Sequence, residues 1–388
     1  MTDPATNGVV APYDSGSLDP YDAIVLVSFG GPEGPEEVLP FLENVTRGRG
    51  IPTERLAEVG EHYFLFGGRS PINDQCRRLR AALDTEFRRR GVRSASGGDV
   101  PLYWGNRNSE PFLGPEMAKI AADGHRRVLA VVTSAYPSYS SCRQYRENLY
   151  DATSGTPLLV DRLRHYATSP GFVAASVDAT LASLGQLGAA GEQARLVFVT
   201  HSIPTSMAVA AGPEPKSADG GYVDWHRQVA AEVTRQVSER QQHDFGYDLV
   251  YCSRSGPPSQ PWLEPDVNDH LTRLHAEGTR AVVAIPIGFI SDHMEVIYDL
   301  DTEAAETAQG LGLPFVRAAT AGLHPGFVGG LVDLILERAA VARGHEVTPA
   351  VISGGTVGRY ECLPDCCVNP RQPGRPALCQ APSPALSG

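Results

Sequence analysis

Four polar residues of this 388-residue chain stand where chemistry could be done. His201 closes the apolar run RLVFVTH (195–201). SDHMEVIYDLDTE (291–303) follows AVVAIPIGFI (281–290) directly and brings Glu295, Asp299 and Glu303 to a second strand end. If 291–303 is helical, the three carboxylates fall at i, i+4 and i+8 and share one face. They repel one another there, so a cation or shared protons must relieve them. An imidazole and a carboxylate converging on a pocket suit a borderline divalent cation such as Fe²⁺, and equally suit proton transfer near neutral pH. A lone histidine at a strand end is ordinarily a structural hydrogen-bonder, and a charge run is ordinarily a solvated face. The matching position of Glu295 beside an apolar strand favours chemistry over both.

The elements that must position these residues read as alternating strands and helices. AIVLVSF (23–29), PLYWGN (101–106), VLAVVTSA (128–135), RLVFVTH, DLVYCS (248–253) and AVVAIPIGF are short apolar runs of the kind that form buried parallel strands. PEMAKIAADG (115–124), VDWHRQVAAEVTRQVSER (223–240) and PGFVGGLVDLILERAAVAR (325–343) lie between or after them with helical periodicity. That alternation predicts an α/β fold with helices on both faces of parallel sheets. Residues 102–145 also align with 249–298, both carrying a Pro-aromatic-Leu-x-Pro-acid stretch. Two similar doubly wound, Rossmann-like domains facing each other across a cleft are expected, with 1–20 a disordered N-terminus, 21–170 and 171–345 the domains, and 346–388 a cysteine-containing tail.

Ligands in such folds sit at the C-terminal ends of the strands. The cleft is therefore expected to be lined by SFGGPEGPEE (28–37), TSAYPSYSSCRQY (133–145), THSIPTSM (200–207) and FISDHMEVIYDLD (289–301). These loops supply Phe29, Tyr136, Tyr139, Tyr145, Ile203, Ile287, Phe289 and Met294, an apolar set suited to a flat hydrophobic ligand. SFGGPEGP is glycine-rich but is neither GxGxxG nor a Walker loop, so a nucleotide site is weakly supported.

Composition excludes other classes. A net charge of −12 disfavours nucleic-acid binding, which relies on Lys and Arg against phosphate. Lys119 and Lys216 are the only lysines. No run approaches the roughly 18 apolar residues of a spanning helix, and the first twenty residues lack signal-peptide character, so a cytoplasmic location is expected. Seven cysteines in such a compartment point to metal or redox work where they cluster, with Cys76 and Cys252 as small buried hydrophobes.

SFGGPE, RGRG, HYFLFGGRSPIN, GNRN, VTHSIP, SRSGP with WLEP, and PIGFISDHMEVIYDLD together resemble the successive motifs of ferrochelatases, over residues 21 to about 340. The resemblance implies insertion of Fe²⁺ into a porphyrin during haem synthesis. His201 and Glu295 then match the family's metal-site pair, with Asp299 and Glu303 as a proton relay. Ser70, Tyr145, Tyr63 and Arg47 match porphyrin contacts. The chain is most similar to the actinobacterial branch, which implies coproporphyrin III as substrate, protoporphyrin IX being the alternative. Some relatives carry a tyrosine at the position of Phe29 that can ligate the product iron, which phenylalanine cannot do. A monomer is expected. A haem or metal carrier, or a sensor, is the non-catalytic alternative, and a nickel or cobalt chelatase is disfavoured by the His-plus-carboxylate set.

The tail from Val347 reads by composition as a disordered end, yet Cys362, Cys366 and Cys367 fall within six residues. Three thiolates leave a four-ligand site one short. In relatives that carry a [2Fe-2S] cluster, a cysteine in the loop holding Cys142 completes the set. The resemblance thus implies a cluster on Cys142, Cys362, Cys366 and Cys367, with Cys379 a spare that could replace one of the adjacent pair, and a structural Zn²⁺ as the rival.

Overall fold

The computed structural model describes residues 16–48, 50–213, 216–256, 259–363 and 365–378. They form two four-stranded parallel sheets. In the first, β1 (Ala23–Ser28), β2 (Leu102–Asn106), β3 (Arg127–Val132) and β4 (Leu159–Arg162) run in the order β2-β1-β3-β4. In the second, β5 (Ala194–His201), β6 (Tyr247–Cys252), β7 (Ala281–Ile285) and β8 (Phe315–Arg317) run in the order β6-β5-β7-β8. AIVLVS and AVVAI are buried at every position, because helices cover both faces and parallel strands then read as unbroken apolar runs. β4 and β8 escape sequence reading, since LVDR and FVR are too short to show a run.

Helices α1 (Pro35–Val45), α2 (Thr53–Phe64) and α3 (Ile72–Arg90) link β1 to β2, and α4 (Leu113–Ala122) links β2 to β3. A π-turn at Tyr139–Arg143 leads into α5 (Gln144–Thr153) and then β4. α6 (Pro170–Gln186) precedes β5, and α7 (Thr205–Ala210) and α8 (Gly221–Gln241) lead to β6. α9 (Val267–Ala276) reaches β7. The single turn α10 (Met294–Val296), a π-helix at Ile297–Ala304 and α11 (Ala305–Leu311) then return to β8, and α12 (Pro325–Ala342) packs on α6 and α3. One apolar core joins both halves, taking Ile24 and Leu26 from β1 and Leu196 and Phe198 from β5.

The internal repeat is real, but its register differs from the sequence alignment. Asn106 N–H donates to Pro111 O at 2.7 Å, and Tyr251 N–H donates to Pro265 O at 3.0 Å. Pro111 is therefore equivalent to Pro265, four residues beyond the Pro261 that the shared Pro-aromatic-Leu pattern suggests. Pro261 and Leu263 serve another purpose: the Pro261 carbonyl accepts from Thr205 N–H, and Leu263 N–H donates to Ile203 O, anchoring the loop after β5.

Both chain ends depart from disorder where they are described. Leu18 is buried and its N–H donates to Arg93 O at 2.8 Å, so residues 16–20 attach to the body, while 1–15 lie outside the described residues. The tail lies along α5 and the segment after β4. Ile352 N–H donates to Thr168 O (2.8 Å), and Leu378 N–H donates to Arg146 O (3.0 Å). The body carries buried Arg146, Arg162 and Arg164, and tail carbonyls accept from them, which is why a Pro- and Gly-rich segment is held in place. Among the described residues no helix is long and apolar enough to cross a membrane.

Candidate active site

His201 ends β5, between β6 and β7, and its side chain is half-buried. Its Nδ1–H donates to Ser202 O at 2.5 Å, which leaves the lone pair on Nε2. That nitrogen lies 3.6 Å from Glu295 Oε2, on the turn that follows β7. Two acceptors face each other across a gap too long for a direct hydrogen bond, and a proton or a cation between them satisfies both. A buried network fixes the histidine from below. Tyr222 OH donates to His201 O at 2.9 Å, and Thr200 Oγ1 lies 2.9 Å from Tyr222 Oη and 2.8 Å from His226 Nε2. Burial pushes His226 down to about 3, so the ring is neutral, giving its Nδ1–H to Tyr222 O and accepting from Thr200. A Cβ on Gly288 would sit 2.1 Å from Thr200 Oγ1, so only glycine lets the loop after β7 approach this network.

The carboxylate row lies on π-helical rather than regular helical backbone. Asp299 and Glu303 belong to the Ile297–Ala304 segment, whose i→i+5 bonding widens the turn. Asp299 accepts a short hydrogen bond from Ser253 Oγ, at the end of β6. Ser253 is held at φ 60°, an uncommon conformation for serine that aims its hydroxyl into the site. Burial, with Glu295 and Glu303 adding to it, pushes Asp299 up to about 7. Glu303 is raised as well, first by burial, but is exposed. The four predicted polar residues thus run from a half-buried His201 and an exposed Glu295 through a protonatable Asp299 to an exposed Glu303. His293, beside them, is lowered by burial and packs edge-on against Phe289 at 5.0 Å.

The first half supplies the opposite wall. Tyr63 on α2 joins Phe41, Leu42 and Leu56 in a cluster that also includes Met294, so α1 and α2 reach the turn carrying Glu295. Burial, then the Glu295 carboxylate, raises the Tyr63 phenol. Phe29 packs on Phe41 with ring centroids 6.1 Å apart. Ser70 is buried against the SFGG loop, since a Cβ on Gly31 would lie 2.6 Å from Ser70 Cβ and one on Gly30 would lie 2.5 Å from Ser109 Oγ. Asn73 donates to Gly31 O (3.0 Å) and Asn106 donates to Asn73 Oδ1 (3.1 Å). The glycines, the GGRSPIN segment and the GNRN loop are therefore one packed unit, which accounts for their composition without a phosphate. Arg47 is exposed beyond α1.

Several expected lining residues lie elsewhere. Tyr136, Ile203 and Ile287 are buried in the main core and Phe289 in the core beneath β7, because later helices close over these strand ends. Tyr136 stacks on His226 at 3.6 Å rather than facing a ligand. Tyr145 is buried, with the Arg107 guanidinium 4.6 Å from its ring and 5.4 Å from that of Phe29. Arg107, Ser253, and the stacked pair His62 and Tyr298 were not singled out by sequence. The GNRN and SRSG loops, each an Arg-bearing loop after a strand, were the available signal for the first two.

The cysteines of the tail do meet Cys142. Cys142, Cys362 and Cys366 act on one another's thiols, and Cys366 Sγ is 3.7 Å from Cys367 Sγ. Cys362 is lowered by Cys142, Cys366 and Arg162, whose Nη2 donates to its Sγ at 2.7 Å. Cys367 is lowered by Cys366 and receives the Gly212 N–H at 3.4 Å. Thiolate character at two positions and donors around them suit an anionic, sulfur-ligated group. Among the described residues no group of three or more His, Cys, Asp or Glu side chains is arranged to hold a metal ion. Cys379 lies outside the described residues.

Known proteins match this chain over nearly all its length. The family described as Ferrochelatase matches residues 21–339. A protein of Streptomyces coelicolor named coproporphyrin III ferrochelatase is 53% identical over 375 residues, covering 94% of this chain and 97% of the relative. A protein of the same name from Streptomyces griseus is 51% identical with the same coverage. Another of that name from Leifsonia xyli is 44% identical over 380 residues, covering 92% and 94%.

Proposed function

The chain belongs to the ferrochelatase family, and from that premise we propose that it inserts Fe²⁺ into coproporphyrin III to form iron coproporphyrin in haem biosynthesis. The observation that carries the residue assignment is the His201 Nε2 to Glu295 Oε2 approach of 3.6 Å between two adjacent strand ends. Metallation requires that Fe²⁺ shed water, that the macrocycle expose its nitrogen lone pairs and that two pyrrole protons leave. His201 and Glu295 present a nitrogen and an oxygen to the substrate iron and stand ready to accept protons. Asp299, near half-protonated at neutral pH, takes a proton from that pair, and Glu303 passes it towards solvent. Phe29 and Tyr63 offer a flat apolar wall and Arg47 a cation for a propionate, while Ser70 and Tyr145 hold that wall in place through Gly31 and Arg107. Phe29 provides no ligand atom for the product iron.

Incubation with Fe²⁺ and either coproporphyrin III or protoporphyrin IX under identical conditions tests the reading. A higher kcat/KM for coproporphyrin III is expected. Equal values, or preference for protoporphyrin IX, would overturn the substrate, and porphyrin bound and released unmetallated would indicate a carrier. A cytoplasmic monomer completes the proposal, to be checked by fractionation and sedimentation.

The Cys142, Cys362, Cys366 and Cys367 sulfurs, by donor type and by the hydrogen bonds they receive, fit a [2Fe-2S] cluster whose four thiolates are shared between two irons. When bound, the cluster supplies one-electron chemistry and a covalent tie from tail to body. Anaerobically purified protein should show visible charge-transfer absorption, iron and acid-labile sulfide, all diminished in Cys142→Ser. Colourless protein containing zinc would overturn it.

A further inference from the structure

One guanidinium near the four cysteines has donors that no described residue receives. Arg146 is completely buried. Its Nε donates to Leu378 O at 2.8 Å, whereas Nη1 and Nη2 have no hydrogen-bond partner among the described residues. A buried cation with unsatisfied donors is strongly disfavoured unless an anion meets it. The nearest carboxylate on its helix does not fill that role, since Glu147 accepts from Asn369 and lies against Arg143 and Arg375.

What Arg146 does have nearby is sulfur. It follows Cys142 by four residues on continuous helical backbone, so the two side chains project from the same side. Its charge also reaches Cys362 and Cys367. Arg162, which does touch a sulfur, already donates to Cys362 Sγ and to the Leu163 and Arg359 carbonyls. His165 adds no charge, because burial keeps it neutral.

We infer that Arg146 is the charge-compensating residue of the tail cluster, its two unpartnered nitrogens serving the anionic iron–sulfur group and holding its reduction potential up. The inference rests on the [2Fe-2S] reading. A [2Fe-2S] core on four thiolates is a dianion when oxidised and gains one more negative charge on reduction, so a fixed neighbouring cation favours the reduced form. Arg146 is thus a positioning and tuning residue that touches neither the porphyrin nor the substrate iron.

The test is a dithionite redox titration of anaerobically purified full-length protein, followed by visible absorption, comparing wild type with Arg146→Gln and Arg146→Lys. Wild type must first show iron, acid-labile sulfide and colour, and its failure to do so sinks the cluster rather than the role of Arg146. Arg146→Gln is expected to lower the midpoint by at least the equivalent of a tenfold change in the oxidised-to-reduced ratio, about 59 mV for one electron. Arg146→Lys, which keeps the charge, should stay nearer to wild type. Should Arg146→Gln not retain its cluster, retention by Arg146→Lys supports the charge requirement. A loaded Arg146→Gln protein with the wild-type midpoint, equal shifts in both variants, or cluster loss in both would overturn it.

Discussion

The rings of His62 and Tyr298 stack face to face, their centroids 3.8 Å apart and their planes within 9° of parallel. His62 comes from α2 beside the first sheet, and Tyr298 from the π-helix that carries Asp299 and Glu303 after the second. With Met294 in the α1 and α2 cluster and Asp292 N–H donating to Gln75 Oε1 at 2.9 Å, this contact joins the two walls around Glu295. The acidic segment is therefore positioned by both halves of the chain.

The stack should be measurable as a coupling. Tyr298→Ala and His62→Ala are each expected to cost about 1 kcal/mol in urea denaturation, the usual worth of an aromatic pair. The double variant should cost less than their sum, because one contact is lost in all three. Strict additivity would show that the rings do not support each other.

His201→Ala should lower kcat about 10²–10⁴-fold while changing porphyrin affinity less than about tenfold, because a half-buried imidazole contributes little apolar contact and much chemistry. Glu295→Gln should be nearly as harmful, since the amide keeps the shape but is a poor ligand and no base. Single-turnover metallation and fluorescence titration separate the two effects. Tight binding lost with turnover retained would reverse the assignment.

Asp299 carries a pH signature. Its carboxyl rises from 3.8 to about 7, so folding favours the protonated form. That contribution is full below about pH 4 and is lost as pH rises through about 7. Asp299→Asn, which can still accept from Ser253, escapes the loss. The variant should therefore gain stability relative to wild type between pH 5 and pH 8, on the order of 2 kcal/mol after discounting for solvent screening. Metal-free protein in urea at the two pH values gives the comparison, and an unchanged difference would refute the raised carboxyl.

The juxtaposition of His201 and Glu295 was legible because each ends or follows a long apolar run and parallel strands deliver their C-terminal ends to one side. Ser253 was not, since its bond to Asp299 depends on a left-handed backbone turn that no residue type announces. Tyr136 misled for a complementary reason. It follows a strand as a lining residue would, but Phe172 and His226, from later helices, close over it. Position along one strand reads locally, whereas burial beyond the strand end depends on helices far away in the chain. The cysteine convergence was readable only through resemblance, because Cys142 is more than two hundred residues before the tail.

The tail should matter to stability even without the proposed cluster. Arg164 forms a buried pair with Glu337, at 2.6 and 3.0 Å, and Tyr360 OH donates to the same carboxylate at 2.6 Å. Arg164 also donates to Ala350 O, Thr168 to Thr356 O and Arg146 to Leu378 O. Ending the chain at His345 leaves the Arg164–Glu337 pair but removes Tyr360, Ala350, Thr356 and Leu378 together, and opens the buried arginines to water. Each lost bond to a charged or buried donor is worth about 1–3 kcal/mol, and the sum approaches the 5–15 kcal/mol by which ordinary domains are stable. Full-length protein with Cys142, Cys362, Cys366 and Cys367 all changed to Ser loses the cluster but keeps these bonds. The truncated chain should therefore melt well below the four-serine variant, or fail to fold, while the four-serine variant still metallates porphyrin. Equal melting temperatures would mean that the cluster alone fastens the tail, and a truncated chain as stable as wild type would mean that the tail is not a structural part of the body.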